Sequence, residues 1–130
     1  NNKKFKKKSI NYLLKNYDLI VVCIPSSDEN YKFLDKKKID LIKKKIILIN
    51  TSRGEIIDEE YVVNLAKKKG LFYSTDVIQN EQFISKNHYS KMNKNSNLLI
   101  SKHIAGLTTE SIYKTDKEIY ENLLKYNAKN

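Results

Sequence analysis

Four polar side chains of this chain stand where apolar runs give way to turns: Arg53, Asp76, Glu81 and His103. An imidazole close to a carboxylate is an acid/base unit, because the anion favours the charged ring and fixes its orientation. A guanidinium beside such a pair can anchor an anionic substrate, most simply a carboxylate, through two parallel hydrogen bonds that a lysine cannot imitate. The chain has 25 Lys and Arg residues, and Arg53 is the sole arginine among them. Its place at the end of an aliphatic run suggests that the fork geometry matters there. The other candidates are weaker. His88 lies in a polar stretch and reads as a solvated histidine. Cys23, the one cysteine, falls inside an apolar run and reads as a small buried thiol, which fits a reduced, cytoplasmic setting. No cysteine pair or histidine cluster has metal-ligand spacing, so no metal site is expected.

The elements that must carry these residues follow from the hydropathy pattern. Residues 46–54 (IILINTSRG) read as a buried strand that breaks into a turn, and the apolar run shows no alternation, as in a strand covered on both faces. Similar runs predict strands at 18–24, 71–75 and 98–101. Helices are expected over 9–16, 35–44 and from Asp58 to the lysines 67–69, with Gly70 as a left-handed cap. A polar loop is expected over 79–97, and a long amphipathic helix over 109–126 with Ile112, Ile119, Tyr120, Leu123 and Leu124 in register. Strands alternating with helices predict an α/β protein: a Rossmann-like parallel sheet with helices on both faces. Ligands of such sheets bind beyond the carboxyl ends of the strands. That rule selects Pro25, residues 50–54, Asp76 and residues 103–106.

Composition narrows the field further. Forty per cent hydrophobic and 31% charged residues describe a globular domain, and 130 residues make one domain at most. No apolar run is long enough to span a membrane. The net charge of +10 raises nucleic-acid binding. However, the lysine triplets 36–38, 43–45 and 67–69 sit at helix ends and exposed faces, and no aromatic stacking platform accompanies them. No nucleic-acid partner is expected.

In order along the chain, NTSRG (50–54) followed by IIDEE (56–60), STDV (74–77) with Glu81 five residues after the aspartate, and HIAG (103–106) resemble the D-isomer-specific 2-hydroxyacid dehydrogenases. The resemblance runs from Ser9 to about Tyr126 and corresponds to the second half of that family's NAD-binding domain. It implies an oxidoreductase that moves hydride between a nicotinamide cofactor, NAD with NADP as the alternative, and a D-2-hydroxy or 2-keto acid, working as a homodimer. Residue by residue, Arg53 resembles the arginine that holds the substrate carboxylate and keto oxygen. His103 resembles the general acid/base, and Glu81 its partner. Asp76 resembles a residue near the nicotinamide carboxamide. Ile24 with Pro25, Thr51 with Ser52, and Ala105 with Gly106 resemble backbone contacts along the cofactor.

The chain departs from the pattern at Gln82 and Lys102, where the family has proline, and in the long polar loop before His103. It also holds no GxGxxG turn and no acidic residue ending an earlier strand to grip the adenosine ribose. Residues 1–130 are therefore expected to form a partial NAD-binding domain that ends in the helix at 109–126, without the glycine-rich half or the substrate domain. The lack of an initiating methionine hints at a piece of something longer. On this view the 130 residues alone would be inactive. Two alternatives share the fold: a dinucleotide-sensing corepressor-like module and an inactive truncated remnant.

Overall fold

The computed structural model describes residues 6–42, 45–69, 71–81, 97–101 and 103–127. Helix α1 spans Ile10–Asn16, and its cap Ser9 accepts a hydrogen bond from the Tyr12 amide at 3.3 Å. Strand β1 (Leu19–Val22) follows. Helix α2 (Lys36–Ile39) is capped by Asp35, whose Oδ1 accepts from the Lys38 amide at 2.8 Å. Strand β2 (Ile47–Asn50) exits through a 3-10 turn at Gly54–Ile56 into helix α3 (Glu59–Lys69). Strands β3 (Phe72–Thr75) and β4 (Leu98–Ile100) and helix α4 (Thr109–Asn127) complete the order.

The four strands form one parallel sheet in chain order, β1-β2-β3-β4, which bears out the α/β parallel architecture. Register aligns Val22 with Asn50, Asn50 with Thr75, and Thr75 with Ile100. The strands therefore end along one line, and the residues that follow them share one rim. With the strands in sequential order, crossovers of one hand put α2 and α3 on the same face of the sheet, where the two helices touch. Burial agrees: Val22, Leu48, Asn50, Tyr73 and Thr75 point into the covered face, where they meet a core that includes Leu14, Ile39, Val62 and Ala66.

Helices α1, α2 and α3 pack on one face of the sheet. Among the described residues the opposite face is largely open, and Leu19, Val21, Ile47 and Leu99 are 43–57% exposed on it. Cys23 continues that parity beyond the end of β1 and is exposed rather than buried. Strand β1 is shorter than the predicted 18–24 because its partner β2 offers only four residues to pair with. The helix predicted over 35–44 closes after Ile39, where the amides of Leu41 and Ile42 bond three residues back and tighten the chain into a turn. The apolar residues predicted for the last helix lie on α4 as expected, yet Ile112, Ile119, Tyr120, Leu123 and Leu124 are exposed. The expected Gly70 cap, the loop residues 82–96 with Gln82 and His88, and Lys102 lie outside the described residues.

Candidate active site

At the exit of β2 the buried Asn50 side chain folds the backbone into a turn. Its Oδ1 accepts from the Ser52 amide at 3.0 Å and its Nδ2 donates to the Arg53 carbonyl at 3.0 Å. Such side-chain bonding to the backbone two residues on is why asparagine favours turns. Ser52 Oγ donates to the Val22 carbonyl at 3.0 Å and the Thr51 amide to the same oxygen at 3.4 Å, which ties this turn to the end of β1. Ile24 packs against the core, and the Pro25 carbonyl accepts from Asn30 Nδ2 at 2.9 Å. Arg53 thus leaves a rigid base with extended backbone, and its exposed side chain uses one donor, Nη1, on the Ser52 carbonyl at 2.7 Å. Of the five N–H donors on a guanidinium, the rest have no hydrogen-bond partner among the described residues.

The β3 and β4 exits are joined by Asp76, which is buried. Its Oδ1 accepts from Ser101 Oγ at 2.5 Å and from the Ile104 amide at 3.0 Å, and its Oδ2 accepts from the Ala105 amide at 2.8 Å. Burial pushes this carboxyl up, but the bonds from Ser101, Ala105 and Ile104, with help from the nearby His103, outweigh it and hold the group below the ordinary carboxylate range. The turn it grips has His103 at its apex with φ 53°, a left-handed conformation that a side chain with a Cβ seldom adopts. Asp76 is what sustains it. The resemblance assigned Asp76 to the cofactor. The structure shows that its carboxylate first serves the histidine turn.

His103 Nδ1 lies 2.8 Å from Glu81 Oε2, and the other oxygen, Oε1, accepts from the Ile78 amide at 3.0 Å. Glu81 is thus steered by its own turn, in which Asn80 takes φ 58°. The two side chains are 43% and 38% exposed, so the pair is open to a ligand rather than sealed in the core. Nδ1 is engaged, and Nε2 is the ring nitrogen left for proton exchange with a bound molecule. Arg53 makes no hydrogen bond or ion pair with Asp76, Glu81 or His103; it shares the rim with them through strand order. Ala105 and Gly106 are exposed on the same turn, and a Cβ at Gly106 would meet open space. No group of three or more His, Cys, Asp or Glu residues capable of holding a metal forms among the described residues.

Asn50 falls in the selected strand end 50–54 without its turn-forming task being read from the sequence, and Ser101 is missed. For Asn50 the signal was present, since an asparagine directly before a small polar pair at a strand end marks a turn. For Ser101 no local signal exists, because its partner is 25 residues away.

The rim suits the nicotinamide end of a dinucleotide: an acid/base pair, an unspent arginine fork and exposed backbone at the ends of parallel strands. Residues 1–105 match the family model described as the D-isomer specific 2-hydroxyacid dehydrogenase, NAD binding domain. The glyoxylate reductase of Thermococcus litoralis is 29% identical over 116 residues, which cover 88% of this chain and 34% of that protein. The erythronate-4-phosphate dehydrogenase of Wigglesworthia glossinidia brevipalpis is 30% identical over 129 residues, covering 95% of this chain and 33% of that one. Among solved structures, an acyclic imino acid reductase in complex with NADPH and D-Arg superposes with a TM-score of 0.77 at 27% identity, over 99% of this chain and 40% of that chain. The chain thus spans about a third of the length of these curated relatives. By its family model and its fold, the chain belongs to the D-isomer specific 2-hydroxyacid dehydrogenases, through their NAD-binding domain.

Proposed function

We propose that this chain is the nicotinamide-side half of the NAD-binding domain of a dehydrogenase acting on a small D-2-hydroxy or 2-keto acid. The glycine-rich phosphate turn and the substrate domain are supplied outside these 130 residues, and the intact protein is a cytoplasmic homodimer. The support is chemical. Arg53, at the end of β2, binds the substrate carboxylate and keto oxygen. His103, oriented by Glu81 through Nδ1, gives its Nε2 proton to the carbonyl oxygen in reduction and takes it back in oxidation. The dinucleotide, when bound, supplies or accepts the hydride. Residues 24–25, 51–52 and 105–106 hold it with Asp76, whose Oδ2 retains an acceptor position for a carboxamide N–H. Reduction requires a proton on the ring, and the Glu81 carboxylate 2.8 Å from Nδ1 fixes the orientation in which Nε2 delivers it.

The observation that carries this reading is the Glu81–His103 contact at the rim. Its test uses the active enzyme built around this chain. His103→Gln is expected to abolish turnover while leaving dinucleotide binding intact, and Glu81→Gln to retain only part of the turnover because the ring loses its anion. Parent-like turnover of His103→Gln would remove His103 from the proton transfer and end this reading.

A further inference from the structure

We infer that Glu59, on α3, is a positioning residue for the acid/base pair: it holds the turn at 78–79 that carries Glu81 to His103. Glu59 is the first residue of the helix and is only 4% exposed. A buried carboxylate there is favoured by the positive end of the helix dipole. Its two oxygens straddle one backbone donor, the Gln79 amide, at 2.9 and 2.8 Å. Charge-assisted bonds of this kind are short and strong, and both oxygens converge on one loop residue 20 positions on.

The surroundings show that this contact is built. Gly54 sits against the same spot: a Cβ added to it would lie 2.2 Å from the Gln79 nitrogen, 2.3 Å from the Ile78 carbonyl carbon and 2.7 Å from Glu59 Oε1. The turn after β2, the start of α3 and the loop after β3 therefore close on one point where no methyl fits. From there a chain of hydrogen bonds leads to the site. The Gln79 amide is held by Glu59; the neighbouring Ile78 amide donates to Glu81 Oε1 at 3.0 Å; Glu81 Oε2 meets His103 Nδ1 at 2.8 Å. Gly54 also follows Arg53 directly, so the same clamp sets the substrate fork against the acid/base pair. Glu59 thereby acts on His103 through Glu81.

The inference rests on the proposed acid/base role, and the test separates the two. The tautomer of the neutral His103 ring is read by two-bond proton–nitrogen correlation in the full chain, with His88→Gln for assignment, and the Leu48 and Tyr73 amides report the sheet. The hydrogen bond at one ring nitrogen decides which nitrogen is protonated. The parent is expected to keep its proton on Nδ1. Glu59→Gln leaves one neutral acceptor in place of two charged oxygens, and the Nδ1–H to Nε2–H ratio is expected to fall on the order of tenfold, the worth of a charge-assisted bond. Glu60→Gln, one residue along, is expected to change nothing. Glu81→Gln should lose the Nδ1 preference as well. A parent-like tautomer in Glu59→Gln beside a changed one in Glu81→Gln overturns the Glu59 role and leaves the acid/base reading standing. An unchanged tautomer in Glu81→Gln overturns the pair itself. Should Glu59→Gln melt the sheet, the parent decides: a Gln79 amide protected on the order of ten- to a hundredfold supports the clamp, and exchange at the rate of an open loop refutes it.

Discussion

Replacing Asp76 by asparagine removes a charge from a side chain that bonds both of the amides following His103. The aspartate accepts three hydrogen bonds, from Ser101, Ile104 and Ala105. An amide keeps one acceptor oxygen, and its NH₂ group must then face one of the two backbone N–H donors. One charge-assisted bond is lost outright, at roughly 1.5–3 kcal/mol, and those that remain weaken towards the neutral value of about 1 kcal/mol. The left-handed backbone at His103, worth about 1–2 kcal/mol of strain, then has less to hold it. We expect the turn to lose on the order of 2–4 kcal/mol of local stability, so the Ile104 and Ala105 amides should exchange roughly thirty- to several-hundredfold faster at pH 7. Acid should do the same to the parent. The folded carboxyl titrates below its unfolded value of about 3.9, so its contribution is complete above that pH and is lost as pH falls through the folded value. The Ile104 and Ala105 amide shifts should follow that titration in the parent and not in Asp76→Asn. Unchanged exchange of both amides in Asp76→Asn would show that something other than this carboxylate holds the histidine turn.

Two further outcomes are expected. In the active enzyme Arg53→Lys keeps the charge but not the fork, and kcat/KM should drop on the order of ten- to a hundredfold; steady-state kinetics with the keto acid read this directly, and near-parent values would reduce Arg53 to a generic cation. The 130 residues by themselves should bind NAD poorly, since the glycine-rich turn that seats a pyrophosphate is not in this sequence; calorimetric titration that returned micromolar affinity would contradict it.

Much of this was legible in the residues. Apolar runs ending in NTSRG, STDV and HIAG placed the strand ends, and parallel pairing then put Arg53, Asp76 and His103 on one rim. The Glu81–His103 contact forms across 22 positions of sequence because Glu81 is fixed by the turn beside β3, through the Ile78 amide. The open sheet face was not legible, because the unbroken apolar run from Leu19 to Ile24 carries no alternation to reveal it. Cys23 was misplaced for the same reason. The tasks of Glu59 and Asp76 were hidden for a different one. Their partners are backbone amides 20 to 29 residues away, and an amide carries no sequence label.

The sheet face left open among the described residues has a consequence for how copies of the isolated chain would meet. Exposed Leu19, Val21, Ile47 and Leu99 would adhere to the same surface of a second copy, with the edge of β1 that has no partner strand among the described residues alongside. The net charge of +10 opposes that approach by mutual repulsion. Repulsion between exposed lysines reaches only about 8 Å at physiological ionic strength and about 3 Å at 1 M salt. Added salt therefore removes the force that keeps the copies apart and leaves the apolar attraction intact, so the colloidal stability of the isolated chain is set by the buffer as much as by the fold.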